Sequence, residues 1–446
     1  MTEDWSEVDD EFDPVASDVG PTLLDRNSSP LEDYREALGR RQRVRLTALV
    51  NALGLGPQVQ ATTAELAALL TERIAEPGMA SSLMTGLSFG PLAALGLFAL
   101  TEARVWPLPG LTHALGCLGV DGKAAIATLE SRGLVAIRSE PETVGAESRV
   151  VPHPAAVSAA RTVVPDGSAI PLAGPVRLER EADGLEPILR LAVVWQRVSE
   201  SPLRQTQNGA FYKRDRERLE DDTAVAGPIS DALEPLPDMP ALWLSLARRV
   251  GLLESEPGSD RVAAASPEFW AENAYHLPQM IACRWLSLWT WHEQGGMRRE
   301  GAEVSLAFPF TRGPVLLWLA SLGTEDWVAT EDLAAFLRER DPRWDRPAFQ
   351  GPSSLSEIVP GRTHPNRRGK TSPADSSESA SALDAMLLGM AYQLGLVRVA
   401  EEVSSGRRVV RLTTLGRYLL ALGPPPAPRP SYDHFLFVQP SFEVIA

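Results

Sequence analysis

Ser88 stands in the sequence setting that hydrolases use for a nucleophile. Gly86, Ser88 and Gly90 match the G-x-S-x-G pattern, in which a strand before the motif and a helix after it expose the serine hydroxyl for attack on an acyl carbon. The residues before this motif are polar and helical in character, and Pro91 stands where a first helical turn tolerates proline. Ser88 is therefore predicted to be a helix N-cap, and a cryptic hydrolase that uses Ser88 is kept as a third alternative for the function.

Two further stretches contain part of a binding motif. Gly369, Lys370 and Thr371 match the end of a phosphate-binding loop, but His364 occupies the position of the first glycine, so the backbone cannot surround a phosphate. His113 and Cys117 have the spacing of two metal ligands on a helix, and no second pair completes a site of four ligands. The sequence therefore predicts no catalytic residues, no cofactor and no metal.

Clusters of arginine and lysine are the better candidates, because such side chains bind nucleic-acid phosphates. Four arginines between Arg40 and Arg45 are assigned to one helix, and the hairpin wing of a DNA-binding domain commonly meets a duplex. The predicted DNA-contacting residues are Arg407, Arg408 and Arg411 on a C-terminal hairpin, Arg367, Arg368 and Lys370 in a long polar loop, and Lys213 and Arg214 beside the Asn208-Gly209 turn.

Two observations limit this interpretation. Acidic neighbours such as Glu217 and Asp221 favour a solvated run of charges around Lys213. The helix before the C-terminal hairpin, ALDAMLLGMAYQLG, has few polar side chains, which argues against sequence-specific base reading.

The charge of the chain is unevenly distributed. The net charge is −15, and residues 1–25 contain nine acidic residues and no base, so the remainder carries −6. This excludes the uniformly basic composition of many nucleic-acid-binding proteins. The acidic tail is predicted to be disordered and solubilising, with a mobile arm that competes with nucleic acid for a basic face as the alternative.

Composition also limits the cellular setting. No stretch reaches the roughly 20 apolar residues of a membrane span, and the N-terminus lacks the basic start of a secretory signal, so no membrane partner is expected. Cys117 and Cys283 are too few for a disulfide framework. A cytoplasmic location is therefore expected.

The pattern of elements predicts a mainly α-helical fold with small β-hairpins (α+β), arranged as tandem winged-helix domains in a multi-domain helical protein. A helix at 122–131 and two short strands form the end of the first winged helix. The helix ending at Gly395 and the hairpin around Ser404-Ser405-Gly406 form the end of the second. The predicted divisions are an acidic disordered tail (1–28), a helical region with the first winged helix (29–158), a linker (159–186), a helical Trp-rich middle domain (187–300), a second winged helix (301–423) with a disordered insert (341–381), a Pro-rich linker (424–434) and a final segment (435–446).

Three segments carry a resemblance to a known family: two with specific residue matches, and the early helical region AELAALLTERIAEPGMASSLMTGLS. FLFVQPSFEVIA at the C-terminus resembles the start of the N-terminal domain of XPB-type DNA helicases, and PLRQTQNGAFYKRDRERL is similar to a recurring segment of the bacterial helicase-associated proteins that bear this domain. The matching residues are Phe437, Val438, Gln439, Pro440, Phe442, Glu443 and Val444 in the first segment, and Pro202, Leu203, Arg204, Thr206, Gly209, Tyr212, Lys213, Arg214 and Asp215 in the second. The resemblance implies that 435–446 is the start of a truncated helicase-associated domain. The sequence departs from the family because it lacks the motifs of the helicase motor. The stretch 435–445 is then expected to be unpaired, to form an edge strand or to pair with another chain.

The sequence and the resemblance together predict a non-enzymatic protein. It is expected to contact DNA, or to act as an adaptor associated with a helicase or with DNA repair, with DNA and a helicase or other protein as partners. The alternative is a stand-alone winged-helix transcription regulator. A dimer bound to an inverted repeat would favour that alternative.

Overall fold

The computed structural model describes residues 29–56, 60–138, 148–206, 211–256, 259–297, 308–345, 381–427, 437–438 and 444–445. The described chain combines many helices with small sheets, as the sequence predicted, and its strand pairs are antiparallel. No described helix is both long enough and apolar enough to cross a membrane.

Four helices precede the first sheet: α1 (Pro30–Gly39), α2 (Arg43–Ala52), α3 (Thr63–Ala75) and α4 (Met79–Met84). Capping boxes start α1 and α3, because the Ser29 and Thr62 side chains each accept from the backbone N–H three residues on. The assignment of residues 40–45 to one helix is wrong, because α1 ends at Gly39 and Arg40 and Arg41 lie in the turn before α2.

The next segment, named unit I, follows the order helix, strand, helix, helix, strand, strand. Its elements are α5 (Phe89–Thr101), β1 (Trp106–Pro107), α6 (Leu108–Cys117), α7 (Gly122–Ser131), β2 (Val135–Arg138) and β3 (Arg149–Pro152), followed by α8 (Pro154–Ala159). The strands lie in the order β1–β3–β2. The Asp121 side chain caps α7, whose bounds agree with the sequence prediction.

The same order recurs in unit II, which the sequence predicted only as helices. Its elements are α9 (Glu186–Glu200), β5 (Leu203–Arg204), α10 (Lys213–Glu220), a short added helix α11 (Thr223–Ala226), α12 (Met239–Val250), β6 (Leu253–Ser255) and β7 (Arg261–Ala264). The strands lie in the order β5–β7–β6, which matches unit I. The Asn208-Gly209 turn lies outside the described residues.

Unit III repeats the order once more and gains a strand. Its elements are α15 (Phe308–Ala320), β10 (Val328–Ala329), α16 (Thr330–Arg340), α17 (381–393, with a π-helical part, Ala385–Ala391), β11 (Val397–Glu402) and β12 (Arg408–Leu412). The sheet order is β10–β12–β11–β4, and β4 (Val176–Glu181) comes from the predicted linker 159–186. Within the segment predicted as a linker, β4 therefore pairs with β11, with Val176 opposite Glu402 and Glu181 opposite Arg398. Most of the predicted insert, 346–380, lies outside the described residues.

The remaining elements join or follow the units. They are α13 (Glu268–Asn273), α14 (Leu277–Leu286), β8 (Trp291–His292), β9 (Gly296–Met297), α18 (Thr414–Leu419), β13 (Phe437–Val438) and β14 (Val444–Ile445). The last two strands form a two-stranded sheet, with Phe437 opposite Ile445 and Val438 opposite Val444. The described part of 435–445 is therefore paired with itself.

One hydrophobic core runs through all three units. The prediction that the tryptophan-rich region is core is confirmed for Trp243, Trp285 and Trp291, which are fully buried. The Trp318 indole N–H in unit III donates to the carbonyl of Cys117 in unit I at 2.9 Å. The units are therefore packed against one another through shared apolar surface.

A fully buried ion pair holds α15 to the segment after α14. Arg312 and Glu293 are both 0% exposed, and Arg312 Nε lies 2.6 Å from Glu293 Oε1. The two Nη atoms donate to the carbonyls of Trp285, Leu288 and Trp291 at 2.7–2.8 Å. These bonds add a charged donor to three carbonyl groups, and the Trp285 carbonyl also accepts from the Leu288 N–H at 3.0 Å.

Candidate functional site

The nucleophile motif lacks the local structure that a hydrolase needs. Ser88 is the N-cap of α5, and in the described stretch from residue 60 to Ser88 only helices α3 and α4 precede it. The prediction of an N-cap position is thus confirmed, although the Ser88 side chain makes no capping hydrogen bond.

The metal-ligand pair is also accounted for by other contacts. His113 Nε2 lies 3.1 Å from the carbonyl oxygen of Trp344, and burial raises the pKa of the Cys117 thiol. Within the described ranges, no group of three or more His, Cys, Asp or Glu side chains is placed to hold a metal ion.

The sequence predicts winged-helix domains, in which the helix before the hairpin is the element that enters a DNA groove. The exposure of the third helix of each unit therefore bears on that prediction. In unit III this helix is α17, and every residue from 382 to 393 is buried except Asp384, which is half-buried. The Tyr392 hydroxyl donates to Asp231 at 2.6 Å, and the Leu236 side chain lies against Gly389. Residues 231–236 of unit II therefore cover α17.

Unit II also buries its third helix. Residues 242–247 of α12 are all buried, and the helix packs against α9 and α14. At its C-terminal end the Arg248 guanidinium lies over the Phe211 ring, 5.5 Å from the ring centroid, and Arg249 donates to the Ser287 carbonyl. Neither α12 nor α17 presents a face to a nucleic-acid groove.

Unit I differs, because α7 keeps one face exposed. The exposed residues on that face are Lys123, Ala124, Ala127 and Ser131. Beside α7, helix α2 forms the other wall of a groove of about 430 Å³, lined by Arg41, Arg45, Ala48, Leu49, Ala52, Ala127, Glu130 and Ser131. This groove is named the α2–α7 groove.

Cationic side chains outnumber anionic ones at the α2–α7 groove. Arg41 forms an ion pair with Glu130 inside the groove, and burial lowers the pKa of the Arg41 guanidinium. Arg45 lines the groove and is exposed, and Lys123 is exposed one turn before Ala127 on α7. Since the Arg41–Glu130 pair is neutral, these two cations give the groove a positive edge.

The arginines of the C-terminal hairpin are held by carboxylates of the same chain. Arg407 lies 2.9 Å from Asp332 and 3.2 Å from Glu402, and Arg408 lies 2.5 Å from Glu234. Hydrogen bonds from the Ser405 hydroxyl, from the Gly174 N–H and from Arg407 lower the pKa of Glu402 to about 2.

Arg411 is the most enclosed of the three hairpin arginines, with its side chain 11% exposed. Its guanidinium pairs with Glu325 and lies 4.6 Å from the centre of the Trp327 ring. Glu179 on β4 lies 3.7 Å from Arg411 and 3.4 Å from Arg398. A phosphate at this hairpin would have to displace several carboxylates from the arginines. One of these carboxylates, Glu179, belongs to β4.

The other predicted contacts are dispersed. Lys213 and Arg214 are exposed at the start of α10, where Asp215 accepts from the Arg204 N–H at 2.8 Å. Arg367, Arg368 and Lys370 lie outside the described residues. The described candidates therefore belong to two different elements, the C-terminal hairpin of unit III and helix α10 of unit II.

Sequence reasoning did not identify the α2–α7 groove, although it noted the arginines near α2. The exposed face of α7 consists of small residues and one lysine, which give no motif. Comparison with protein-family models, with curated proteins and with solved structures found no match to the chain.

Proposed function

We propose that the three units are winged helices and that the chain is a non-enzymatic adaptor for a helicase or a DNA-repair protein. The repeated order of helix, strand, helix, helix, strand, strand supports the first part, together with the shared strand order in which the third strand lies between the other two.

The burial of α12 and α17 carries the adaptor proposal. A helix that reads bases needs a free face to enter a major groove about 12 Å wide. In units II and III that face is used for packing inside the chain, so these units act as a rigid scaffold. The resemblance at 202–215 and 437–444 supports a helicase as the partner class.

Lys213 and Arg214 are retained as candidate partner contacts, because both are exposed and both belong to the segment that carries the resemblance. The adjacent Tyr212 ring is 43% exposed and lies 5.1 Å from the Arg204 guanidinium. An exposed aromatic ring beside cations is typical of protein interfaces.

The test uses sedimentation of the purified full chain mixed with a purified XPB-type helicase. We expect a complex at about 10 µM, which corresponds to a binding free energy near −7 kcal/mol, and no ATPase activity from the chain alone. The double charge reversal Lys213→Glu with Arg214→Glu should weaken the complex, and Arg161→Glu, at another exposed cation, is the matched control. Absence of a complex with the wild-type chain would refute the adaptor proposal.

A second candidate function is DNA contact through the α2–α7 groove, because unit I alone among the three leaves its third helix exposed. Arg45 and Lys123 are the phosphate-contacting residues in this candidate. An electrophoretic shift assay with duplex DNA at about 50 and 200 mM salt tests it, since each phosphate contact contributes roughly −0.9 to the slope of log affinity against log salt.

Replacing Arg45 and Lys123 with alanine should make that slope shallower by about 1.8, which is the share of two contacts. The triple replacement Arg407→Ala, Arg408→Ala and Arg411→Ala should leave the slope unchanged, because those guanidinium groups are held by carboxylates of the chain. The opposite pattern would return the candidate DNA interface to the hairpin, and no shift with either protein would remove DNA contact as a function.

A further inference from the structure

The α2–α7 groove has an apolar floor that no described element covers. On α2, Ala48 and Ala52 line the groove, and the exposed Val44 stands one turn before Ala48, so the three residues lie on one face of the helix. Val44 is 80% exposed. On the facing wall, α7 contributes Ala127. An apolar stripe bordered by cations is the kind of surface that binds an amphipathic acidic helix.

The chain itself contains a segment with that chemistry. Trp5, Val8 and Phe12 are spaced by three and four residues, so in a helix they would lie on one face. Between and around them, residues 3–13 contain seven acidic side chains and no base, and Pro14 sets the end of the pattern. Anchors at positions i, i+3 and i+7 are those of a helix that binds in a groove.

We propose that residues 3–13 bind in the α2–α7 groove of the same chain as an amphipathic helix. Trp5, Val8 and Phe12 contact the apolar stripe of α2 and the small residues of α7. The acidic side chains lie along the rim, where Arg45 and Lys123 provide opposite charge.

The connection between the two parts is long enough. Residues 14–28 separate the segment from the start of α1, and fifteen residues can span up to about 50 Å when extended. Helix α1 has 10 residues and is therefore about 15 Å long. It packs against β2 and α3, which in turn contact α7 and α2. A connection of this length gives an effective concentration in the millimolar range, so modest affinity is enough for occupancy.

A segment bound in the groove would cover the exposed face of α7. The corresponding helices of units II and III, α12 and α17, have no such exposed face. A bound acidic segment would exclude both a phosphate backbone and a protein partner from Arg45 and Lys123. The proposal therefore assigns an autoinhibitory role to the N-terminal segment, and it holds whether the α2–α7 groove binds DNA or protein.

Disulfide trapping in the full chain tests the contact. The variant Val8→Cys with Ala127→Cys places one thiol on the apolar stripe of the segment and one in the α2–α7 groove. The matched control joins Val8→Cys to Tyr275→Cys, a position 95% exposed outside the groove. The native thiols of Cys117 and Cys283 are buried, and burial raises the pKa of both, so they compete poorly.

We expect an intramolecular disulfide to form at least about tenfold faster in the groove variant than in the control, because binding raises the local thiol concentration. Adding Arg45→Glu should slow the reaction toward the control rate. Equal rates in the two cysteine variants would overturn the proposal. Formation of covalent dimers at a rate that rises with protein concentration would also overturn it, because the occupant would then be a second copy of the chain.

Hydrogen exchange provides a second measurement that needs no cysteine. In the wild-type chain, the backbone amides of residues 3–13 should exchange several-fold more slowly than in the variant Trp5→Ala with Phe12→Ala, because helix formation in the groove protects them. The peptides that cover α2 and α7 should lose protection in the same variant. Identical exchange in both proteins would refute binding by the segment.

Discussion

Replacing Arg312 with methionine should be one of the most destabilising single changes in this chain. The substitution keeps an unbranched apolar stem but removes the guanidinium that pairs with Glu293 and donates to three buried carbonyl groups. Arg312 also lies over the Trp285 and Trp291 rings, at 5.3 and 5.6 Å from their centroids. The change therefore leaves a carboxylate and three carbonyl oxygens buried with fewer partners.

The magnitude follows from these contacts. Breaking a buried ion pair by removing one partner costs about 3–5 kcal/mol, since the remaining charge stays buried. The deprived carbonyl groups add about 1–3 kcal/mol, because each has a second lone pair and part of the loss is recovered by local adjustment. We expect Arg312→Met to lower the free energy of unfolding by about 5 kcal/mol.

Chemical denaturation followed by tryptophan fluorescence measures this loss, and Trp285 and Trp291 lie directly at the site. Arg40→Met is the matched control, because Arg40 forms a surface pair with Glu36 in which both side chains are well exposed. Such a pair is worth about 0.2–1 kcal/mol, so the control should change little.

A double-mutant cycle measures the coupling free energy between Arg312 and Glu293. Glu293→Gln removes the charge that Arg312→Met leaves unpaired, so the double variant should lose at least about 2 kcal/mol less than the sum of the single losses. A loss below about 1 kcal/mol for Arg312→Met, or strict additivity in the cycle, would show that the ion pair does not hold α15 in place.

Three further predictions concern pH and close packing. Hydrogen bonds, chiefly from Ser405, hold the pKa of Glu402 near 2. The carboxylate therefore stabilises the folded state above its ordinary pKa of 4.5, and this stabilisation is lost as the pH falls toward 2. Glu402→Gln should make the denaturation midpoint depend less on pH over that range. Burial lowers the pKa of His292 from 6.5 to about 4, so protons bind the unfolded state first and stability falls between pH 6.5 and 4. In thermal unfolding, His292→Asn should make that fall smaller but should not abolish it, because burial also lowers the pKa of His113 and His153. A methyl group on Gly416 would collide with the carbonyl oxygen of Leu396, so Gly416→Ala should cost about 1–3 kcal/mol in denaturant titration, and an unchanged midpoint would contradict the packing of α18.

Local sequence signals predicted the last helix and the hairpin of units I and III with little error, but not their first strands, β1 and β10. The helix at 122–131 followed from its apolar spacing and its capping aspartate, and the C-terminal hairpin followed from two β-branched runs around a turn that contains Gly406. Unit II was missed because its strands have only two to four residues, too short for an alternating pattern.

The hairpin arginines show what local sequence signals do not predict, namely the partners of a charged side chain. A run such as Arg407, Arg408 and Arg411 gives the same pattern whether it faces solvent or a carboxylate. Their partners Glu325 and Glu234 lie 86 and 174 residues away in the sequence. Strand β4, which supplies Glu179 beside these arginines, lies in a segment rich in proline and glycine that gave no strand signal.

The sequence by itself determined where the last helix and the hairpin of units I and III lie, because caps, turns and apolar periodicity act over a few residues. It also argued against base reading by α17, since that helix has few polar side chains. Only the tertiary structure decided which residues cover α17. It also decided which unit keeps an exposed face on its third helix. The Tyr392–Asp231 hydrogen bond joins residues 161 positions apart, and α7 keeps one face exposed although Arg41, from the turn before α2, pairs with Glu130. Such pairings depend on the shared core of the three units, which no local pattern encodes.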